Sequence, residues 1–112
     1  MIDNWMPFDN CKTINKSGSE KGTIIFDIEH SNGARVTLEK DTPIAPFATT
    51  LGIYGLMFHT RFDGNEVDAR AFIEKVLQKI NTLFEYLNVP KDKQDRDWQE
   101  KLDKLIGDLA EQ

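Results

Sequence analysis

The stretch TIIFDIEHSNGARVTLEK, residues 23–40, decides the fold of this chain. From Thr23, Ile24, Phe26 and Ile28 fall on one side while Ile25, Asp27 and Glu29 fall on the other, the two-residue period of a strand with one buried face. Ala34, Val36 and Leu38 then share one face and Arg35, Thr37 and Glu39 the opposite one, with HSNG at 30–33 supplying turn chemistry between the two runs. A two-residue Asn32-Gly33 loop sets Val36 across from Glu29 and Leu38 across from Asp27, mixing core with solvent, because a one-residue slip flips every side chain. A three-residue loop, Ser31-Asn32-Gly33, with Gly33 left-handed, instead pairs Ile28 with Val36 and Phe26 with Leu38. It also sets Glu29 opposite Arg35, a cross-strand charge pair worth about 0.2–1 kcal/mol.

C-terminal to the hairpin, DTPIAPF at 41–47 breaks the pattern, since Pro43 and Pro46 each lack a ladder donor and restrict the residue before them. The next run, GIYGLMFHTRF at 52–62, reads as a third strand from about Ile53 to Phe62. Its alternation places Tyr54, Leu56, Phe58, Thr60 and Phe62 on the apolar face, with Ile53, Gly55, Met57, His59 and Arg61 opposite. Asn65 is a good N-cap, and beyond it Ala69, Phe72, Ile73, Val76, Leu77, Ile80, Leu83, Phe84 and Leu87 draw one broad apolar stripe over about six helical turns. Asn88 and Pro90 end that helix. A second helix, expected from about Asp92, carries Trp98, Leu102, Leu105, Ile106 and Leu109 on one face, supported by Asp97–Lys101 and Glu100–Lys104 pairs. Gly107 weakens its end.

On the N-terminal side, NKSGSEKG at 15–22 reads as a mobile turn. Trp5, Met6, Phe8, Cys11 and Ile14 form an apolar arm able to dock as an edge strand or coil, Pro7 excluding a central strand there. The expected architecture is therefore a single α+β domain over residues 1–112. Residues 1–21 form an arm and 22–62 an antiparallel sheet of three to four strands. Residues 65–111 form two helices, the first long and packed on one face of the sheet.

Composition agrees with a folded domain: of 112 residues, 39% are hydrophobic, 29% charged and 10% aromatic. Fourteen Lys and Arg against 19 Asp and Glu give a net charge of -5, which opposes attraction to phosphate backbones and anionic membranes. The strand-strand-strand-helix order resembles the later part of a double-stranded RNA-binding domain. That family opens its final helix with clustered lysines, whereas the matching place here reads GNEVDAR, so neither nucleic acid nor membrane is expected as a partner. One cysteine, Cys11, cannot form an internal disulfide, and MIDNWMPFDN lacks the pattern of a secretory signal, which together point to the cytoplasm.

Chemistry needs a constellation, and few residues offer one. His30 and His59 are the only histidines, without HxH or HExxH spacing, and nothing around Cys11 marks a nucleophile, so neither a metal nor another cofactor is expected. His30, at the start of a turn, reads as a solvated loop residue. His59 shares its predicted face with Ile53, Met57 and Arg61, and beside the hairpin this face would continue through Asp27, Glu29 and Arg35. Two readings follow. The first is a non-catalytic protein-interaction or self-associating domain of adaptor, regulator or inhibitor type, with Ile53, Met57 and Trp98 at the interface and a second copy or another protein as partner. The alternative is an anionic-ligand binder or enzyme using His59, Arg61, Arg35 and Glu29, with Asp27 and Glu29 as orienting carboxylates.

Overall fold

A computed structural model of the chain describes residues 4–110. Its strands are β1 (Trp5–Pro7), β2 (Thr23–His30), β3 (Ala34–Lys40), β4 (Phe47–Ile53) and β5 (Met57–Asp63); its helices are α1 (Glu66–Leu87) and α2 (Arg96–Ala110). The strands form one antiparallel meander in the order β1-β2-β3-β4-β5, so the sheet has five strands and not three or four.

The β2–β3 hairpin has the register expected from its alternation. Ile28 pairs with Val36, Phe26 with Leu38 and Glu29 with Arg35. Gly33 closes the three-residue loop at φ 103°, its N–H donating to the His30 carbonyl at 3.0 Å. One detail differs from expectation. The register shifts between Ile24 and Phe26, and Ile24 pairs with Glu39. An extra residue in one strand reverses the faces beyond it, so Ile24 joins the side of Asp27 and Arg35, while Ile25 packs against the core.

The larger correction concerns residues 47–63. The single strand expected over Ile53–Phe62 is a hairpin, with β4 ending at Ile53, a turn over Tyr54–Leu56 and β5 starting at Met57. Gly55 takes φ 80°, and the Leu56 N–H closes the turn on the Ile53 carbonyl at 2.9 Å. Tyr54 and Leu56 disguise this turn as strand because both are apolar. The faces are also inverted. Val36 lies opposite Leu51, Leu51 opposite His59 and Ile53 opposite Met57, so Met57, His59 and Arg61 share the side of the core. Phe58, expected inside, is 76% exposed, whereas Ile53, expected on the less apolar side, is 1% exposed.

Helix α1 follows its predicted stripe. The Asn65 side chain accepts from the Asp68 N–H at 2.8 Å, and Ala69, Phe72, Ile73, Val76, Leu77, Ile80 and Leu83 are buried. These residues pack on Ile28, Val36, Leu38, Leu51 and Ile53 of the sheet. Helix α2 begins later than expected, after a 3-10 turn at Lys91–Lys93, because Asp95 is its cap: the carboxylate accepts from the Trp98 N–H at 2.9 Å. The Asp97–Lys101 pair forms, whereas Glu100 pairs with Arg96 and the helix runs past Gly107 to Ala110. Leu102 and Leu109 are buried in the common core, so α2 lies beside α1 and over β5.

The arm docks as the edge strand β1, with Trp5 buried and Pro7 at its end. The turn at 15–22 is not loose. Glu39, fully buried, accepts from the backbone N–H groups of Glu20 and Gly22 at 3.2 and 3.0 Å, which satisfies a carboxylate that burial would otherwise penalise. Among the described residues no helix is long and apolar enough to cross a membrane.

The inverted β5 faces have a direct test. Ile80→Ala should lower unfolding free energy by about 2–5 kcal/mol through cavity formation. Phe58→Ser should change it by less than about 1 kcal/mol, as a surface substitution does. Urea denaturation of both variants, each extrapolated to low chain concentration so that self-association does not contribute, measures this, and a larger loss for Phe58→Ser than for Ile80→Ala would contradict the observed register.

Candidate functional site

Strand alternation divides the predicted site residues between two sides of the sheet. His59 and Arg61 lie on the side covered by the helices. Arg61 sits over the Phe72 ring at 4.8 Å and pairs with Asp63 at 3.2 Å, and His59 is engaged in contacts of its own. Arg35 and Glu29 lie on the outer side, with Asp27. The four do not converge on one site. Ile53 is core, Met57 packs against that core, and Trp98 joins the two helices. Its indole stacks on Tyr86 with centroids 5.7 Å apart and donates from Nε1 to the Tyr86 carbonyl at 3.1 Å.

On the outer side, Asp27 is a hub. Its Oδ1 accepts from Arg35 Nε at 2.9 Å and Thr37 Oγ1 at 3.0 Å, and its Oδ2 from Arg35 Nη2 at 2.6 Å and Thr13 Oγ1 at 2.8 Å. The expected Glu29–Arg35 pair is thus replaced by a diagonal one, since Asp27 offers Arg35 a two-pronged acceptor already shielded from water. The hydrogen bond to Asp27 raises the Arg35 guanidinium above its usual value, and the Phe8 ring lies 3.7 Å from its charge centre. Glu29 instead accepts from Tyr54 Oη at 2.9 Å. Burial raises the Tyr54 phenol, and the bond to Glu29 adds to the shift. Thr13 and Phe8 belong to the arm, so this network ties the arm across the sheet.

Between the arm and β5 the outer side holds a trough of about 550 Å³, with Lys16, Arg35, Thr37, Thr50, Tyr54 and Phe58 among its walls. The Phe58 ring occupies the space over Gly52. A Cβ added at Gly52 would lie 2.6 Å from it, so glycine leaves the room that the ring takes over the neighbouring strand. Of the seven large apolar side chains exposed among the described residues, five (Tyr54, Leu56, Phe58, Phe62 and Val67) lie between positions 54 and 67.

A second concavity, about 960 Å³, opens at the end of the sheet formed by the two tight turns and the last part of α1. His30 is one of its lining residues, and it is not the solvated loop residue expected: it is 3% exposed, edge-on to Trp5 at 5.0 Å and 4.6 Å from the Phe84 ring. The alternation that buries Ile28 buries His30 two residues later, a signal present in the sequence but overridden there by turn chemistry. Nδ1 accepts from the Asn32 N–H at 3.0 Å, so the imidazole is neutral with its proton on Nε2. Burial lowers the His30 pKa, against a smaller raising effect of its hydrogen bond to Asn81, whose Oδ1 also accepts from Trp5 Nε1 at 3.0 Å. The arrangement locks arm, sheet and helix together.

Comparison with protein-family models, with curated proteins and with solved structures finds no match to this chain.

Two measurements follow. The folded state takes up the His30 proton less readily than the unfolded chain, whose imidazole titrates near its ordinary value of 6.5. Its contribution to stability is therefore complete above that pH and declines as the pH falls below it. In His30→Gln, the part of the stability loss between pH 7 and 5 that belongs to His30 should vanish; an unchanged profile by denaturant titration would contradict a buried neutral imidazole. At the outer hub, Asp27→Ala should cost about 1–3 kcal/mol by leaving Arg35, Thr13 and Thr37 without their shared buried acceptor. Asp27→Ala/Arg35→Met should recover more than half of that loss, and no recovery would mean that the pair is not the source of the cost.

Proposed function

We propose that this chain is a non-catalytic protein-binding domain whose contact surface is the outer side of β5 and its flanking turns. The observation that carries this reading is the exposure of two phenylalanines, Phe58 and Phe62, on the outer side of β5, with Tyr54 exposed at the turn that precedes it, since exposed large apolar side chains on one face mark interaction sites. Phe58 is the central anchor. Its ring is seated over Gly52 and needs little further ordering on contact, which suits an aromatic hot spot. The Asp27 hub serves this surface indirectly by holding the arm as one wall of the adjoining trough.

The alternative of an anionic-ligand site has less support. Arg35 already faces a buried carboxylate, and His59 and Arg61 lie on the other side of the sheet. Arg35 therefore offers an incoming anion little uncompensated charge.

Affinity recovery with the tagged chain, followed by titration of each recovered protein in purified form, tests the reading. Phe58→Ser/Phe62→Ser should weaken binding at least tenfold while the circular dichroism spectrum is unchanged. Gly52→Ala, whose added methyl displaces the Phe58 ring, should weaken it in the same direction. Partners that bind the double variant as tightly as the parent would overturn the assignment of this surface.

A further inference from the structure

The two edges of the sheet are not equivalent. β1 is three residues long and ends in Pro7, which has no N–H to offer a neighbour. β5 is seven residues long, contains no proline or lysine, and keeps an unbroken register with β4 from Met57 to Asp63. Natural proteins blunt long regular edges with such residues, with bulges or with inward-pointing charges; of these β5 carries only the last, in Arg61 and Asp63, and these two neutralise each other at 3.2 Å. Its N–H and C=O groups that point away from β4 have no partner strand among the described residues.

Resting on the protein-binding reading above, we infer that the partner is a second copy of this chain, joined edge to edge through antiparallel β5 strands with Thr60 on the twofold axis. In an antiparallel pair about an axis normal to the sheet, opposed residues share a face, so the axis must pass beside one residue and its own copy. Centring on Thr60 is the only choice that pairs all seven residues of β5. It also sets Phe58 opposite Phe62 of the second copy, and Phe62 opposite Phe58, on the same exposed face. Moving the centre to His59 or Arg61 separates these rings and shortens the ladder. Phe58 and Phe62 are 76% and 38% exposed, and both become covered by the pairing. Cross-strand aromatic pairs are among the stabilising contacts of sheets, so the pattern Phe-x-Thr-x-Phe is complementary to itself. The product is a continuous ten-stranded sheet with a pair of helices under each half and each arm over the outer side of its own β2 and β3.

The experiment uses the full chain carrying Cys11→Ser and Thr60→Cys, treated with a short bismaleimide, alongside light scattering of the parent over a range of concentrations. The parent should show a monomer–dimer equilibrium, and the Thr60→Cys chain should form a covalent dimer. Phe58→Cys and Phe62→Cys, each in the Cys11→Ser background, should link to each other when mixed and far less to themselves. Phe58→Lys should raise the dimer dissociation constant at least tenfold. Should a cysteine variant fold poorly, hydrogen exchange on the parent gives the same answer, with β5 amides becoming more protected as concentration rises and β1 amides unchanged. A parent that is monomeric throughout, with concentration-independent β5 exchange, overturns the second-copy inference. If that monomer still binds another protein in a Phe58-dependent way, the protein-binding reading survives alone; if it binds none, both fall. A dimer whose cross-links form without regard to residue 60 overturns the β5 register.

Discussion

The rest of the molecule depends on the pairing of Val36 with Ile28 on one side and with Leu51 on the other. Strand side chains alternate, so once Val36 faces α1, the antiparallel ladders assign a face to every residue of β3, β4 and β5. Leu51, Ile53 and Met57 turn toward α1, while Thr50, Gly52 and Phe58 turn away. No local preference of β5 can reverse this without breaking two hairpins. The cost of exposing one phenylalanine is smaller than that of moving Leu51, Ile53 and Val36 out of a core where each is 1% exposed or less.

Buried polar groups hold the elements that the apolar core does not reach. Asp27, Glu39 and His30 each lie on β2 or β3, are nearly inaccessible to solvent, and bind a segment distant in sequence: Asp27 the arm at Thr13, Glu39 the turn at 20–22, His30 the helix at Asn81. Each is satisfied by several hydrogen bonds, as buried charge and imidazole require. They leave the outer side of β5 as the part of the sheet with neither arm nor helix over it, and there the exposed aromatic rings are found.

Much of the architecture was legible residue by residue. The Gly33 loop and its register followed from one slip argument, and the α1 stripe from Ala69 to Leu83 followed from helical spacing. The predicted site was legible only as a list of residue types. His59, Arg61, Arg35 and Glu29 are all present, but whether they meet depends on the number of turns between them, and the turn at Tyr54–Leu56 is written in apolar residues. His30 was missed because HSNG carries turn chemistry so strongly that the strand parity reaching His30 from Ile28 was set aside.

By itself the sequence determined what repeats locally: the alternation of β2 and β3, the three-residue loop, the caps at Asn65 and the stop at Asn88, because each depends on neighbours within a few positions. Only the tertiary structure decided which side of β5 is inside, where Arg35 finds its counter-charge and which sheet edge lies open. Those outcomes are set by pairing between distant segments, whose register passes from strand to strand and overrides the hydrophobicity of any one of them.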